Sequence, residues 1–112
     1  MTVTRATASE PHLLSAEAES DLDAIRAYLM QHGGTRLVRY VFGDIRKALN
    51  FLADTPGAGQ LRPDLTDEPV KFWSVFSYLI VYDPTRRPLG IACILHAAQD
   101  LEFLFRKFPP RV

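Results

Sequence analysis

The chain has 112 residues, with 13 basic and 13 acidic side chains and a single cysteine. Its length suits one domain with its own apolar core, and its balanced charge argues against a binder held mainly by nucleic-acid phosphates, leaving room only for a local basic cluster. Cys93 has no partner for an internal disulfide, and no apolar run approaches the ~20 residues of a membrane span.

Residues 1–10 are small and polar and read as a loose lead-in. They lack the apolar stretch of a signal peptide, so a cytoplasmic protein in a reducing compartment is expected, with Cys93 as a small core residue. Pro11-His12-Leu13-Leu14 reads as a short edge strand. Ser15 then offers an N-cap, and Glu17 and Glu19 place negative charge in the first helical turn. Ala18 stands where the glutamate of a capping box would be, so the box is incomplete. Ala18, Leu22, Ile25 and Leu29 mark one apolar helical face, with Asp21, Asp23 and Arg26 turned away from it. Gly33 and Gly34, after His32, stop this helix.

A second periodic run, Val38, Val41, Phe42, Ile45, Leu49 and Leu52, ends at Thr55-Pro56-Gly57, where proline forbids continuation. Gly43 inside it costs about 1 kcal/mol relative to alanine and suggests a close approach to a neighbour. Residues 56–69 form a long connection with three prolines and two glycines, leading into a strand at Val70–Val75. Two further strands, Tyr78–Tyr82 and Leu89–Leu95, flank the polar hairpin loop Asp83–Pro88. They are apolar at successive positions, which implies cover on both faces. Residues 97–108 read as a short helix, and Pro109-Pro110 ends regular structure, leaving 109–112 as a tail. The order predicts an α+β domain over residues 11–108, a helical hairpin packed on a small antiparallel β-sheet.

Four blocks of this sequence resemble the RelE/ParE toxins of type II toxin–antitoxin systems. They are Leu14-Ser-Ala-Glu-Ala-Glu-Ser-Asp-Leu-Asp-Ala-Ile-Arg-Ala-Tyr28, Pro56-Gly-Ala-Gly-Gln-Leu-Arg-Pro-Asp-Leu65, Tyr78-Leu-Ile-Val-Tyr82 and Ile94-Leu-His-Ala-Ala-Gln-Asp-Leu101. The resemblance covers roughly residues 11–104, with the blocks in the right order and spacing. The resemblance implies a toxin neutralised by an antitoxin encoded beside it, with the fold just described. RelE-type members cut mRNA on the ribosome; ParE-type members inhibit DNA gyrase by binding it. The first activity needs basic and proton-transferring side chains at the sheet and the C-terminal segment. Ser74 stands where RelE-type members carry an arginine, Ala97, Ala98 and Gln99 where they carry basic residues, and Phe103 or Phe105 at their tyrosine or histidine. The ParE-like branch is therefore expected, with a ParD-like antitoxin and gyrase as partners, DNA reached only through the antitoxin, and no enzymatic role. A RelE-like endoribonuclease and a degenerate, non-toxic member are the alternatives, the last because Gln99 replaces the arginine common before the aspartate at Asp100.

The resemblance and the residue chemistry together nominate side chains. Arg62, Arg86, Arg87, Phe103, Phe105, Arg106 and Lys107 are candidates for target contact, Arg62 being equally placed to pair with Asp64 or Asp67. Leu22, Ile25, Leu29, Phe42 and Trp73 are candidates for antitoxin contact, and His96, Gln99 and Asp100 for a structural motif after the last strand. No catalytic residue is assigned. With no second His or Cys at ligand spacing beside His96, no metal or cofactor is expected, and Gly57-Ala58-Gly59 lacks the Lys-Ser/Thr of a phosphate loop.

Overall fold

In a computed structural model of the chain, residues 12–96 are described, and the expectations for the lead-in and for residues 97–112 lie outside them. Ser15 is the junction from which the fold departs. Its Oγ accepts from Ala18 N at 2.9 Å, capping the helix, and donates to Ala92 O at 2.6 Å. Its own N–H donates to Ile91 O at 3.1 Å. One side chain thus begins the helix and closes a sheet edge.

The elements are β1 (His12–Leu14), α1 (Ala16–Asp54), a 3₁₀ turn (Pro56–Ala58), β2 (Lys71–Val75), β3 (Tyr78–Asp83) and β4 (Leu89–His96). The sheet order is β1-β4-β3-β2. β2, β3 and β4 are antiparallel, whereas β1 runs parallel to β4, so the sheet is mixed rather than wholly antiparallel. The expected edge strand is therefore present, pairing with the strand farthest from it in sequence.

α1 is two helices meeting at a kink at Gly34, which has the non-helical φ 70° and ψ −165°. That backbone region is essentially reserved for glycine. A straight helix of 39 residues would measure about 58 Å, but the longest dimension of the molecule is 43 Å. The Arg26 guanidinium lies 4.4 Å from the centre of the Phe42 ring, so residues 16–33 and 35–54 fold back as two neighbouring arms. The expected helical hairpin is correct, with a tighter reversal than a separate loop would give. Gly33 supports it: a Cβ there would meet Leu37 Cβ at 2.7 Å.

Gly43 departs from expectation. It is exposed and nothing lies within 4 Å of where its Cβ would be. Gly43→Ala is accordingly expected to stabilise the protein by about 1 kcal/mol through helix propensity alone, read as a raised urea midpoint at unchanged slope.

The arms cover one face of the sheet. Ile25, Leu29, Val41, Ile45, Leu49 and Leu52 pack there against Tyr78, Ile80, Tyr82, Leu89, Ile91 and Ile94. On the other face Leu65, Phe72, Val81, Cys93 and Leu95 form a second cluster, so both faces are covered as the apolar runs imply. A bulge reconciles the two layers. The β3–β4 register shifts between Val81 and Tyr82, leaving Ala92 as the extra residue. Ala92 and Cys93 both join the far cluster, while Ile91 and Ile94 both lie under the helices.

Beyond the three residues of β1, the outer edge of β4 is satisfied by side chains of α1. Ser15 takes Ala92 O, and Asp21 Oδ2 accepts from Ile94 N at 2.9 Å. Asp21, expected to turn outward, is half-buried and ties the first arm to the sheet.

The 56–69 connection is anchored along its length. Tyr82, fully buried, donates its hydroxyl to Pro56 O at 2.7 Å and accepts from Gly59 N at 2.9 Å. Gln60 then bridges Phe72 in both directions, at 3.0 and 2.8 Å. Leu65, 3% exposed, plugs the far cluster.

Candidate functional site

Packing two helical arms on a sheet leaves a furrow where their side chains diverge. Leu22 and Arg26 come from the first arm, Phe42, Arg46 and Leu49 from the second, and Leu14 of β1 closes one end. The resulting groove has a volume of about 340 Å³. A smaller depression of about 130 Å³ extends it past Glu19 and Asp23. The groove mixes apolar side chains with the polar Arg26, Arg46 and Asn50, and Arg26 covers Phe42 and approaches Asp23 at 3.6 Å. Such a trough accepts an amphipathic segment presenting apolar anchors at helical spacing.

Of the residues proposed for antitoxin contact, Leu22 and Phe42 line this groove. Ile25 and Leu29 are 8% and 5% exposed and belong to the core beneath it, because the same stripe that forms the groove also faces the sheet. Trp73, half-buried on β2, lies elsewhere, against Phe51 with ring centres 5.3 Å apart.

The residues proposed for target contact are dispersed. Arg62 makes a two-pronged pair with Asp64, Nε to Oδ1 at 3.0 Å and Nη2 to Oδ2 at 2.8 Å. That hydrogen-bonded pairing raises the Arg62 pKa and lowers that of Asp64. At the β3–β4 tip, Arg87 folds back to donate to Pro84 O and Arg86 O at 2.8 and 2.9 Å. The Arg86 stem lies over Gly90, where a Cβ would meet Arg86 Cδ at 3.1 Å. Asp83 holds the turn by accepting from Thr85, whose hydroxyl lowers the carboxyl pKa. Phe103, Phe105, Arg106, Lys107, Gln99 and Asp100 lie outside the described residues.

His96 ends β4 and its Nε2 shares a hydrogen bond with Ser77 Oγ at 3.1 Å. The ring meets Tyr78 edge-on, 5.2 Å between centres. Among the described residues no group of three or more His, Cys, Asp or Glu is placed to hold a metal ion. No helix among them is long and apolar enough to cross a membrane.

Cys93 is fully buried, and burial, with Asp21 nearby as a lesser cause, pushes its thiol up to about 12. It is a protonated core group. A thiol ionising near 9.0 when unfolded and near 12 when folded favours the native state fully below pH 9, and that preference is lost as pH rises toward 12. Stability should fall by about 1.4 kcal/mol per pH unit in that window. Urea unfolding from pH 8 to 11 checks this, with Cys93→Ala expected to flatten the slope.

Three features escape the periodicity reading: Tyr40, Phe51 and Phe76, exposed by 63%, 44% and 52%. Tyr40 and Phe51 lie off the stripe running from Val38 to Leu52, and that offset was the available signal.

A family model described as the ParE toxin of type II toxin-antitoxin system, parDE, matches residues 13–101. The match begins on β1 and runs through every described element. No curated protein matches the chain.

Proposed function

The chain belongs to the ParE toxin family of type II toxin–antitoxin systems, and from that premise we propose that it inhibits DNA gyrase as a protein ligand and is neutralised by a ParD-like antitoxin. In this reading it does no chemistry of its own. The family match across nearly the whole domain carries the proposal. The antitoxin lays an amphipathic segment in the groove lined by Leu22, Phe42 and Leu49. Balanced charge supports a protein target over an rRNA surface, and Ser74 where a RelE-type arginine would stand removes one source of charge stabilisation for RNA cleavage.

The test is gyrase supercoiling of relaxed plasmid with increasing amounts of the purified chain. Dose-dependent inhibition relieved by the antitoxin encoded beside it is expected. No inhibition by folded, antitoxin-free protein, together with ribosome-dependent mRNA cleavage, would overturn the assignment. Phe42→Glu places a carboxylate in the groove and should weaken antitoxin binding roughly 30-fold, the scale of a central anchor. Calorimetric titration measures that loss, and gyrase inhibition should persist while relief by the antitoxin fails.

A further inference from the structure

The balanced charge of the chain conceals an uneven distribution along the helical hairpin. The second arm exposes Arg36, Arg39, Arg46 and Lys47, and none of the four makes an ion pair or hydrogen bond among the described residues. At 3.6 residues per turn they fall within about a third of the helix circumference, opposite the buried Val41, Ile45, Leu49 and Leu52. From Arg36 to Lys47 the row runs about 16 Å.

Two acids belong to the same arm. Asp44 is half-buried and lies to the β2 side of the row, whereas Asp54 is exposed on its own line, about 10 Å beyond Lys47. The acids of the first arm, Glu17, Glu19, Asp21 and Asp23, sit in its first two turns, at the opposite end of the hairpin from Arg36 and Arg39. The cationic field is therefore strongest where the second arm begins, and it ends at Asp54.

At that beginning Thr35, Arg36, Arg39 and Tyr40 line a depression of about 290 Å³, and no carboxylate lines it. Each of the four side chains can donate a hydrogen bond, two of them as planar guanidiniums that match a phosphate with paired N–H groups. Gly43 is the third observation. It lies in the middle of the row, one turn from Arg39, Arg46 and Lys47, exposed and with nothing within 4 Å of where its Cβ would be. The helix gives up about 1 kcal/mol there relative to alanine, and no contact inside the protein accounts for it. A bare backbone at the centre of a cationic row lets a second backbone come close.

The chemistry of the face selects its occupant. The row contains no apolar side chain, the centre that a protein interface needs. The nearby rings are taken, Tyr40 by Phe76 with centres 5.7 Å apart and Phe51 by Trp73 at 5.3 Å, so single-stranded bases lack a free stacking platform. A duplex offers a stiff rail with one phosphate per ~3.4 Å of axis on each strand, so the row faces about five of them.

We propose that the outer face of the second helical arm binds the phosphate backbone of duplex DNA without regard to sequence, with Arg36 and Arg39 gripping one phosphate above Thr35. The chain itself makes this contact, whereas the resemblance implies DNA reached only through the antitoxin. Arg46 is shared with the helical groove and the other three cations are not. The site does not depend on gyrase being the target.

The probe is a fluorescein-labelled duplex of about 20 base pairs, titrated with the full chain free of antitoxin and read by anisotropy. Saturable binding of equal strength to two unrelated sequences is expected. Four phosphate contacts give a log–log salt slope of about −3.6, a loss of roughly 100-fold between 50 and 200 mM salt. Arg36→Gln and Arg39→Gln should each reduce the slope by about 1. Gly43→Glu sets a carboxylate in the middle of the row and should lower affinity at least tenfold. Glutamate outranks glycine in helices and stands one turn from Arg39 and Lys47, so the urea midpoint of this variant should be unchanged or raised. No saturation by about 0.1 mM chain at 50 mM salt overturns the proposal. Unchanged affinity in Gly43→Glu does so too, as does a slope unmoved by both arginine variants. Tighter binding of polyglutamate than of the duplex at the same salt overturns it in favour of an acidic protein, and tighter binding of oligo-dT in favour of single strands.

Discussion

Replacing Gly33 and Gly34 together by alanine is expected to straighten α1 and convert the protein to a domain-swapped dimer. Gly34 occupies φ 70°, ψ −165°, where alanine costs about 1–3 kcal/mol. At position 33 the new Cβ would collide with Leu37 Cβ, and only a change of the bend relieves it. Alanine also favours uninterrupted helix by about 1 kcal/mol per glycine removed. Roughly 3–5 kcal/mol therefore shifts from the bent toward the straight form. A straight helix separates its two arms, and each can recover its apolar partners only on a second copy. Light scattering should report twice the 12.6 kDa chain mass, and small-angle scattering a maximum dimension well above 43 Å. A variant of single-chain mass with the native dimension would refute the account.

Tyr82→Phe is expected to cost roughly 2–6 kcal/mol, about 1–3 for each of the two polar groups that lose their partner. The hydroxyl is the acceptor for Gly59 N and the donor to Pro56 O, and the ring is fully buried. Removing one oxygen frees the start of the 56–69 connection and loosens the Gln60–Phe72 bridge behind it. Gly59→Ala attacks the same joint from the other side. Its Cβ would crowd the Tyr82 hydroxyl and lie 3.0 Å from Phe72 O, which is fixed by its bond from Gln60 N. Urea unfolding measures both, and the double variant should cost less than the sum of the two. Simple additivity would show that the hydroxyl is not the shared element.

Local chemistry made much of this fold legible. The runs Tyr78–Tyr82 and Leu89–Leu95 are β3 and β4 within one residue at each end, because branched and aromatic side chains bounded by Asp-Pro and Arg-Pro leave few alternatives. Ser15 caps where a serine before an apolar periodic run should. What stayed hidden depends on contacts distant in sequence. Nothing in His12–Leu14 names its partner as β4 or its direction as parallel. Asp21 looks solvent-facing by periodicity, and its task is set by Ile94, 73 residues away. The bulge at Ala92 is likewise a matter of register between strands.

The candidate site was half-legible for a related reason. A helical stripe shows which residues are apolar, but not which edge of the stripe a sheet will cover. Leu22 and Phe42 fell on the open side, Ile25 and Leu29 on the closed one. Arg62 was recognisable as a partner for a nearby aspartate, and Asp64 is the one it takes. The aromatic pairs beside β2 needed two elements brought side by side before Tyr40 could be seen with Phe76, or Phe51 with Trp73.

The parallel pairing of β1 with β4 also sets a clock. Ser15 must wait for Ala92, 77 residues later, before it can close the sheet edge. At synthesis rates of 5–20 residues per second, that interval is roughly 4–15 s. Once Asp54 has been made, the two helical arms exist without the sheet's inner strand for about the second half of that interval, and Leu14 lacks its β4 partner as the end wall of the groove. A nascent chain, or one terminated before β4, is therefore an unfinished molecule. If the groove is the antitoxin's seat, as proposed, an antitoxin has those seconds in which to be present before that seat is complete.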